Sequence, residues 1–267
     1  MSSRCLRATL ASLAFATLPV SAAAQAYSMI GVEFFDRAHL LSPATGSSID
    51  LGPTGFIALN GMTTLPDGRI IVAGREVFQS PFDSLFVIDP TTGETALLAN
   101  RDVTGVRALA TCPDGRVLAA SKLPELGTTS TLRELDVDTG VSTVVGDIGF
   151  AVQGMTCTPD GQLWGVSCSV SGLGDDPGLI VIDPVTGEGH DRFALPGECS
   201  DSQFLTATPT GRLLAGGNDL FHIDPTTGTY ELQASFGLDL RGVEFRLELP
   251  SSEIVRLGEP PNPAALA

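Results

Sequence analysis

Lysine is almost missing from this chain. Lys122 is the single one, so Schiff-base chemistry or a lysine-rich nucleic-acid patch has no material to work with. Histidine is nearly as scarce, and the three present, His39, His190 and His222, fall far apart and in different contexts. No Cys-x-x-Cys zinc pair occurs, and no glycine-rich phosphate cradle. The run Gly165-Val-Ser-Cys-Ser169 lacks the second glycine of a nucleophile elbow. Basic residues number 15 against 31 acidic ones, and that balance repels nucleic acid and anionic lipid. Apolar runs long enough to span a bilayer are absent as well.

The residues that are present begin with an export signal. Arg4 and Arg7 precede an apolar stretch from Leu10 to Val20, and Ala24-Gln25-Ala26 places small residues where a signal peptidase cuts. Residues 1–26 therefore read as a signal peptide, and the mature protein as periplasmic or secreted, with no membrane insertion. Cleavage leaves 13 basic against 31 acidic residues, a net charge of −18. Four cysteines remain, Cys112, Cys157, Cys168 and Cys199, an even number suited to two disulfides in an oxidising compartment.

Thirty glycines and 18 prolines signal many turns, and the turns repeat. Pro-Asp-Gly stands at Pro66, Pro113 and Pro159, with Pro209-Thr210-Gly211 as a variant. Asp-Pro-x-Thr-Gly starts at Asp89, Asp183 and Asp224, with variants at Ser42 and Asp136. The glycines closing this second signature, Gly46, Gly93, Gly140, Gly187 and Gly228, are 47, 47, 47 and 41 residues apart. Proline presets its backbone angle, aspartate caps the turn and glycine takes the left-handed position, so both signatures are hairpin turns. Apolar runs such as Leu85-Phe-Val-Ile88 and Leu179-Ile-Val-Ile182 flank them. Four strands per repeat at this period make a propeller blade.

The count predicts an all-β, five-bladed β-propeller of four-stranded blades over residues 27–257. Its ring is closed by both termini: three N-terminal strands (Tyr27 to Phe35, Ala38 to Ser42, Ser48 to Leu51) meet one C-terminal strand, Arg241 to Arg246. Ser251 to Leu257 offers a further edge strand, and residues 258–267 read as a Pro-rich tail. Cys112 and Cys157 fall near the turn end of consecutive first strands, while Cys168 and Cys199 fall in loops at the opposite end. A disulfide cannot cross the length of a strand, so the expected pairs are Cys112–Cys157 and Cys168–Cys199.

The segment Met155-Thr-Cys-Thr-Pro-Asp-Gly-Gln-Leu-Trp164, with Leu179-Ile-Val-Ile-Asp-Pro-Val-Thr-Gly187, resembles secreted bacterial propellers of the NHL and lactonase-like type. That resemblance implies lactonases, lyases and binding scaffolds as relatives, with catalytic members using acidic and amide groups, often around calcium, or histidine. Gln153-Gly154-Met155 also resembles a strand start of the five-bladed bacterial glutaminyl cyclases; the glutamate expected soon after it is absent around Trp164 to Ser167.

Candidate chemistry is thin. Asp136-Val-Asp138-Thr-Gly140 looks like the start of a calcium loop, but no glutamate closes it and it aligns with the ordinary turn at Asp89, so no cofactor or metal is expected. Trp164 aligns with Ile71, Leu118 and Leu214 and reads as a core aromatic. The variable loops lie opposite the uniform turns, and ligand sites favour variable loops on a rigid scaffold. The candidate surface at that loop end is Arg75, Glu76, Arg101, Asp102, Asp147, Asp175, Asp176, Glu198, Asp201, Asp239 and Arg241. The first functional reading is a binding or scaffold module for a small polar ligand or a protein. The alternative is an enzyme of lactonase, lyase or hydrolase type using loop-end carboxylates. Acidic or amide side chains converging in the channel would favour the enzyme, and a channel plugged by small and apolar residues the scaffold.

Overall fold

Twenty strands alternate with turns, and among the described residues there is no helix. The computed structural model describes residues 28–77, 80, 83–99, 104–122, 129–168, 177–195, 197 and 202–246. The signal peptide expected over 1–26, the edge strand expected at 251–257 and the tail at 258–267 lie outside them.

The chain opens with β1 (Met29–Glu33), β2 (Arg37–Ser42) and β3 (Ser47–Gly52). Blade 1 follows as β4 (Ile57–Thr64), β5 (Ile70–Arg75), β6 (Ser84–Ile88) and β7 (Thr95–Ala99). Blade 2 is β8 (Val106–Thr111), β9 (Val117–Ser121), β10 (Thr131–Leu135) and β11 (Ser142–Asp147). Blade 3 is β12 (Val152–Cys157), β13 (Leu163–Ser167), β14 (Gly178–Ile182) and β15 (Gly189–Ala194). Blade 4 is β16 (Phe204–Ala207), β17 (Leu213–Gly216), β18 (Asp219–Ile223) and β19 (Tyr230–Ser235). The last strand, β20 (Leu240–Phe245), pairs antiparallel with β1 and completes blade 5 in the order β20-β1-β2-β3. Three N-terminal strands and one C-terminal strand thus share a sheet, as the repeat count requires.

Turn chemistry fixes this register. Gly68, Gly115, Gly161 and Gly211 each take a φ between 84° and 88°, a region a side chain resists, and close the first hairpin of blades 1 to 4. In the second hairpin an aspartate carboxylate caps the turn: Asp89 Oδ1 accepts from the amides of Thr91 at 2.7 Å and Thr92 at 3.1 Å. Asp136 repeats this with Asp138 and Thr139 at 3.0 and 3.1 Å, which makes it a turn of the same kind. These amide donors hold the Asp136, Asp183 and Asp224 carboxyls below their ordinary value.

Core packing lies at the blade seams. Ile71, Ala73 and Leu85 of blade 1 meet Leu109, Val117 and Ala119 of blade 2, and each of the other four seams has its own apolar cluster. Sheets covered on both faces need near-continuous apolar strands, which is why β9, β13 and β17 are buried along their whole length. Trp164, 8% exposed, packs with Leu205 and Leu213 in the seam between blades 3 and 4, a core aromatic as expected. Cys112 and Cys157 are bridged with their Cα atoms 5.0 Å apart, tying blade 2 to blade 3 at the turn end. Cys168 is also a disulfide cysteine; Cys199, its expected partner, lies outside the described residues.

Candidate functional site at the loop end of the channel

Each blade contributes its first strand to the wall of the central channel, where β4, β8, β12, β16 and β20 stand side by side. Six residues before the turn proline, these strands carry Asn60, Arg107, Gln153 and Gln203, and β20 places Arg241 at the same level. In three of the five strands the bulged residue is this one, and in β4 the register shifts on either side of Asn60. The β8 pairing passes from Val106–Ser121 to Ala108–Ala120 and skips Arg107. The β12 pairing passes from Val152–Ser167 to Gly154–Val166 and skips Gln153, while β20 passes from Leu240–Glu33 to Gly242–Val32 and skips Arg241. An inserted residue escapes the strict alternation of the ladder, so a bulge re-aims its side chain. The result is a ring of two arginines and three amides at the loop-end mouth.

The charges in this ring are unequally matched. Arg241 grips Asp239 through Nε at 2.8 Å and Nη2 at 3.1 Å, and its Nη1 donates to Gln203 Oε1 at 2.6 Å across the seam of blades 4 and 5. The Arg241 guanidinium also lies 5.4 Å from the ring centre of Phe34. Arg75 donates to Asp83 Oδ1 at 2.6 Å, and the 4%-exposed Asp83 accepts Val106 N at 2.7 Å through its other oxygen. Arg107 is half-buried and has no hydrogen bond or ion pair among the described residues. Desolvation, and then repulsion from Arg241 and Arg75, lowers its pKa, with Asp83 opposing in part. Lys122 lies close enough to feel Arg107, and burial together with that charge lowers its pKa too. Two cations thus feel each other's charge, and the acid acting on Arg107, Asp83, is itself held by Arg75.

Immediately below the mouth the channel closes. Gly61, Gly154 and Gly242 let neighbouring first strands touch backbone to backbone. A Cβ at Gly61 would come within 2.7 Å of the Leu109 nitrogen, one at Gly242 within 2.9 Å of the Met62 Cβ, and one at Gly154 would collide with Phe204 and Leu205. Met62, Met155, Leu205 and Val243 fill the waist, leaving a void of about 10 Å3. That is room for about one water molecule. The channel is plugged by small and apolar residues, and the mouth above it is a blind cup.

On the far side of the waist threonines line the bore. Thr63 Oγ1 donates to Thr111 Oγ1 at 3.1 Å. Thr64 Oγ1 and Thr206 Oγ1 donate to the two oxygens of Glu244 at 3.2 and 3.4 Å. Burial among these strands pushes the Glu244 pKa up to about 8, against the pull of both hydroxyls.

The structure gathers Arg75, Asp239 and Arg241 at the mouth. Glu76 is exposed beside Arg75, and Asp147 sits at the end of the outermost strand of blade 2, accepting Gly149 N at 3.0 Å. Arg101, Asp102, Asp175, Asp176, Glu198 and Asp201 lie outside the described residues. Arg107, Lys122, Gln153, Gln203 and Glu244 escaped the loop-based reading; comparing the same column of every first strand finds three of the five, Arg107, Gln153 and Gln203. Among the histidines, His39 is 4% exposed with Nε2 2.7 Å from Glu33 Oε1, His222 accepts Arg212 Nε at 3.1 Å, and His190 is exposed on β15. Among the described residues no three His, Cys, Asp or Glu side chains are grouped to hold a metal ion, and no helix is long and apolar enough to cross a membrane.

No family model matches the chain, and no curated protein does. Solved structures do. TolB from Acinetobacter baumannii is 14% identical with a TM-score of 0.51, over 79% of this chain and 54% of that one. This chain therefore spans about half of the TolB chain's length. A chain of the nidogen/laminin complex is 11% identical with a TM-score of 0.56, over 82% of this chain and 98% of that one. A gluconolactonase from Xanthomonas campestris is 14% identical with a TM-score of 0.48, over 76% of this chain and 72% of that one. At such identities the likeness to the first two shows the propeller fold and leaves the chemistry to the residues.

Proposed function

We propose that this chain is an exported, periplasmic binding module that takes a small organic anion in the loop-end cup. The observation that carries this reading is Arg107: a half-buried guanidinium with no ion pair among the described residues, close to Lys122 and to two further arginines, with Asp83, bound to Arg75, opposing them only in part. A desolvated cation of this kind is costly unless an anion completes it. The bulges at Arg107, Gln153 and Arg241 serve the same end, because they turn polar side chains of three blades toward one opening. Long-range attraction does not help here, since the mature chain carries a net charge of −18. Affinity must come from short, charge-assisted hydrogen bonds inside the cup. The closed waist fits a module that holds its ligand rather than one that conducts it. The basic start, apolar run and small-residue exit over residues 1–26, with cysteines that are disulfide-bonded in the fold, support export.

Titration of the mature protein with acetate and with inorganic phosphate, followed by melting temperature and calorimetry, tests the reading, because a ligand that binds only the native state raises the melting point. Arg107→Met should lose at least about tenfold in affinity, the worth of one charged hydrogen bond of about 1.5–3 kcal/mol. Arg69→Ala is the control, since Arg69 pairs with Asp67 at the turn end. Equal losses in both variants, or binding unchanged in Arg107→Met, would remove the cup as the site.

An enzyme of lactonase, lyase or hydrolase type is the second reading. In its favour stand the amides of Asn60, Gln153 and Gln203 around the mouth and the Glu33–His39 pair, whose Glu33 Oε2 also accepts Asp239 N at 3.4 Å and so lies one contact from Arg241. Gluconolactone hydrolysis above the spontaneous rate, lost in His39→Gln, would support it.

A further inference from the structure

We infer that the cavity between the first hairpin of blade 3 and the second hairpin of blade 4 takes the guanidinium group of an arginine, free or in a polypeptide. It lies at the turn end, so it is separate from the loop-end cup and does not depend on that reading.

The repeat shows which group this place is built to hold. Directly after the first-hairpin glycine, blades 1, 2 and 4 carry Arg69, Arg116 and Arg212, whereas blade 3 carries Gln162. Arg69 and Arg116 fold back onto the turn aspartate: Nε donates at 2.7 Å to Asp67 Oδ2 and to Asp114 Oδ2 respectively. Arg116 then spans the seam, its Nη1 donating at 3.0 Å to the carbonyl oxygen of Pro184 in the second hairpin of blade 3. One guanidinium thus joins a carboxylate of one blade to a carbonyl of the next.

One seam further on the acceptors recur, but the sequence supplies no guanidinium. Asp160 takes the column of Asp114, and Pro225 that of Pro184. Gln162 is turned onto its own backbone, Nε2 donating to Leu163 O at 3.3 Å. Asp160 Oδ1 accepts Thr158 Oγ1 at 2.6 Å and Gln162 N at 3.4 Å. These donors hold its carboxyl below the ordinary value, so it is charged at neutral pH. Asp160 Oδ2, the oxygen that grips arginine in blades 1 and 2, accepts no hydrogen bond among the described residues, and neither does Pro225 O.

Between these acceptors lies a cavity of about 510 Å3, lined also by Trp164, Val181 and His190. Those three are register partners on successive strands and share one face of blade 3. An aromatic wall attracts a guanidinium. Imidazole has a precedent as its acceptor in blade 4, where Arg212 Nε donates to His222 Nε2 at 3.1 Å. A planar fork of five donors can reach carboxylate, carbonyl and imidazole together, which a compact ammonium cannot. The net charge of −18 on the mature chain draws cations toward it.

The test is calorimetric titration of the mature protein at low ionic strength, where a half-open charged site is least screened. The probes are N-acetyl-arginine amide, its neutral isostere N-acetyl-citrulline amide, and free L-arginine. The arginine amide should bind at least about tenfold tighter than the citrulline amide, the worth of a charged hydrogen bond. Gln162→Arg should restore the pattern of blade 2, fill the cavity from within and abolish binding, with a melting point no lower than the parent's. Asp160→Asn keeps a side chain that caps turns and should weaken binding at least about tenfold. Free arginine binding at least about tenfold tighter than the blocked form would assign the site to the amino acid, and any smaller difference to an arginine side chain of a polypeptide. Citrulline amide binding as tightly as arginine amide, arginine binding that persists in both variants, or no binding of either arginine probe would overturn the inference.

Discussion

Thr64 and Glu244 are 180 residues apart in the chain, yet the Thr64 hydroxyl donates to Glu244 Oε2 at 3.2 Å across the seam where the ring closes. Thr206 holds the other oxygen from the opposite side, so one carboxyl staples the C-terminal strand β20 to both of its neighbours.

That staple makes stability depend on pH. The Glu244 pKa rises from 4.5 in the unfolded chain to about 8 in the fold. The native state therefore keeps a proton that the unfolded state releases, and stability falls as pH climbs through the window from 4.5 to about 8. The contribution is complete below the lower value and lost above the upper one. Glu244→Gln keeps a neutral group of the same shape and should flatten this dependence. At pH 9 it should melt about 4–8 °C above the parent, the shift produced by about 2 kcal/mol in a domain of this size. A parent and variant that lose stability in parallel between pH 5 and 9 would disconnect Glu244 from the effect.

Removing residues 241–267 tests the closure itself. β1 would lose its partner on the channel side and expose a free edge, and Val243 would no longer seal the seam with Phe204 and Leu214. Free edges pair with other chains, so the truncated protein should oligomerise or aggregate and melt well below the parent. Size-exclusion chromatography with light scattering reads the outcome. A monomer with the parent's melting point would contradict the three-plus-one ring.

Cys112–Cys157 spans 45 residues and ties two blades whose seam is already apolar. Replacing both by serine should cost about 2–4 kcal/mol in urea unfolding, chiefly by freeing the unfolded chain. Peptide mapping without reduction should recover these two cysteines in one linked fragment.

The features legible in the sequence are those that repeat. A period of 47 residues, with proline, aspartate and glycine at fixed offsets, encodes the turns, and the turns dictate strand order, blade count and the way the termini meet. Cys112 and Cys157 followed because they occupy neighbouring columns of that repeat. The cup was located only at the level of the end of the propeller. Loop length pointed to the end where the proposed cup lies, and Arg75, Asp239 and Arg241 were among the residues it marked. Arg107 and Gln153 were hidden because each is the extra residue of a β-bulge, and strand alternation assigns a bulged residue to the wrong direction. Glu244 was hidden for another reason: its pKa is set by β4 and β16, strands whose proximity exists only once the ring has closed.

The waist supplies the last prediction. Gly154 does not adopt a positive φ, so its need for glycine is steric: the backbones of β12 and β16 approach so closely that a methyl group would collide with Phe204 and Leu205. Gly161, in the turn of the same blade, is the opposite case, with φ of 86° and open space around its Cβ position. Gly154→Ala must push two first strands apart, an overpacking cost of about 1–3 kcal/mol. Gly161→Ala should cost a similar about 1–3 kcal/mol through backbone strain alone. Stability will not separate them, but ligand binding will. Gln153 precedes Gly154 directly, and Gln203 precedes Phe204, so spreading the waist displaces two of the five side chains around the cup. Gly154→Ala should therefore lose anion affinity along with its urea midpoint, whereas Gly161→Ala should lose the midpoint and keep the affinity. Equal affinity in both variants would mean that the waist does not support the cup.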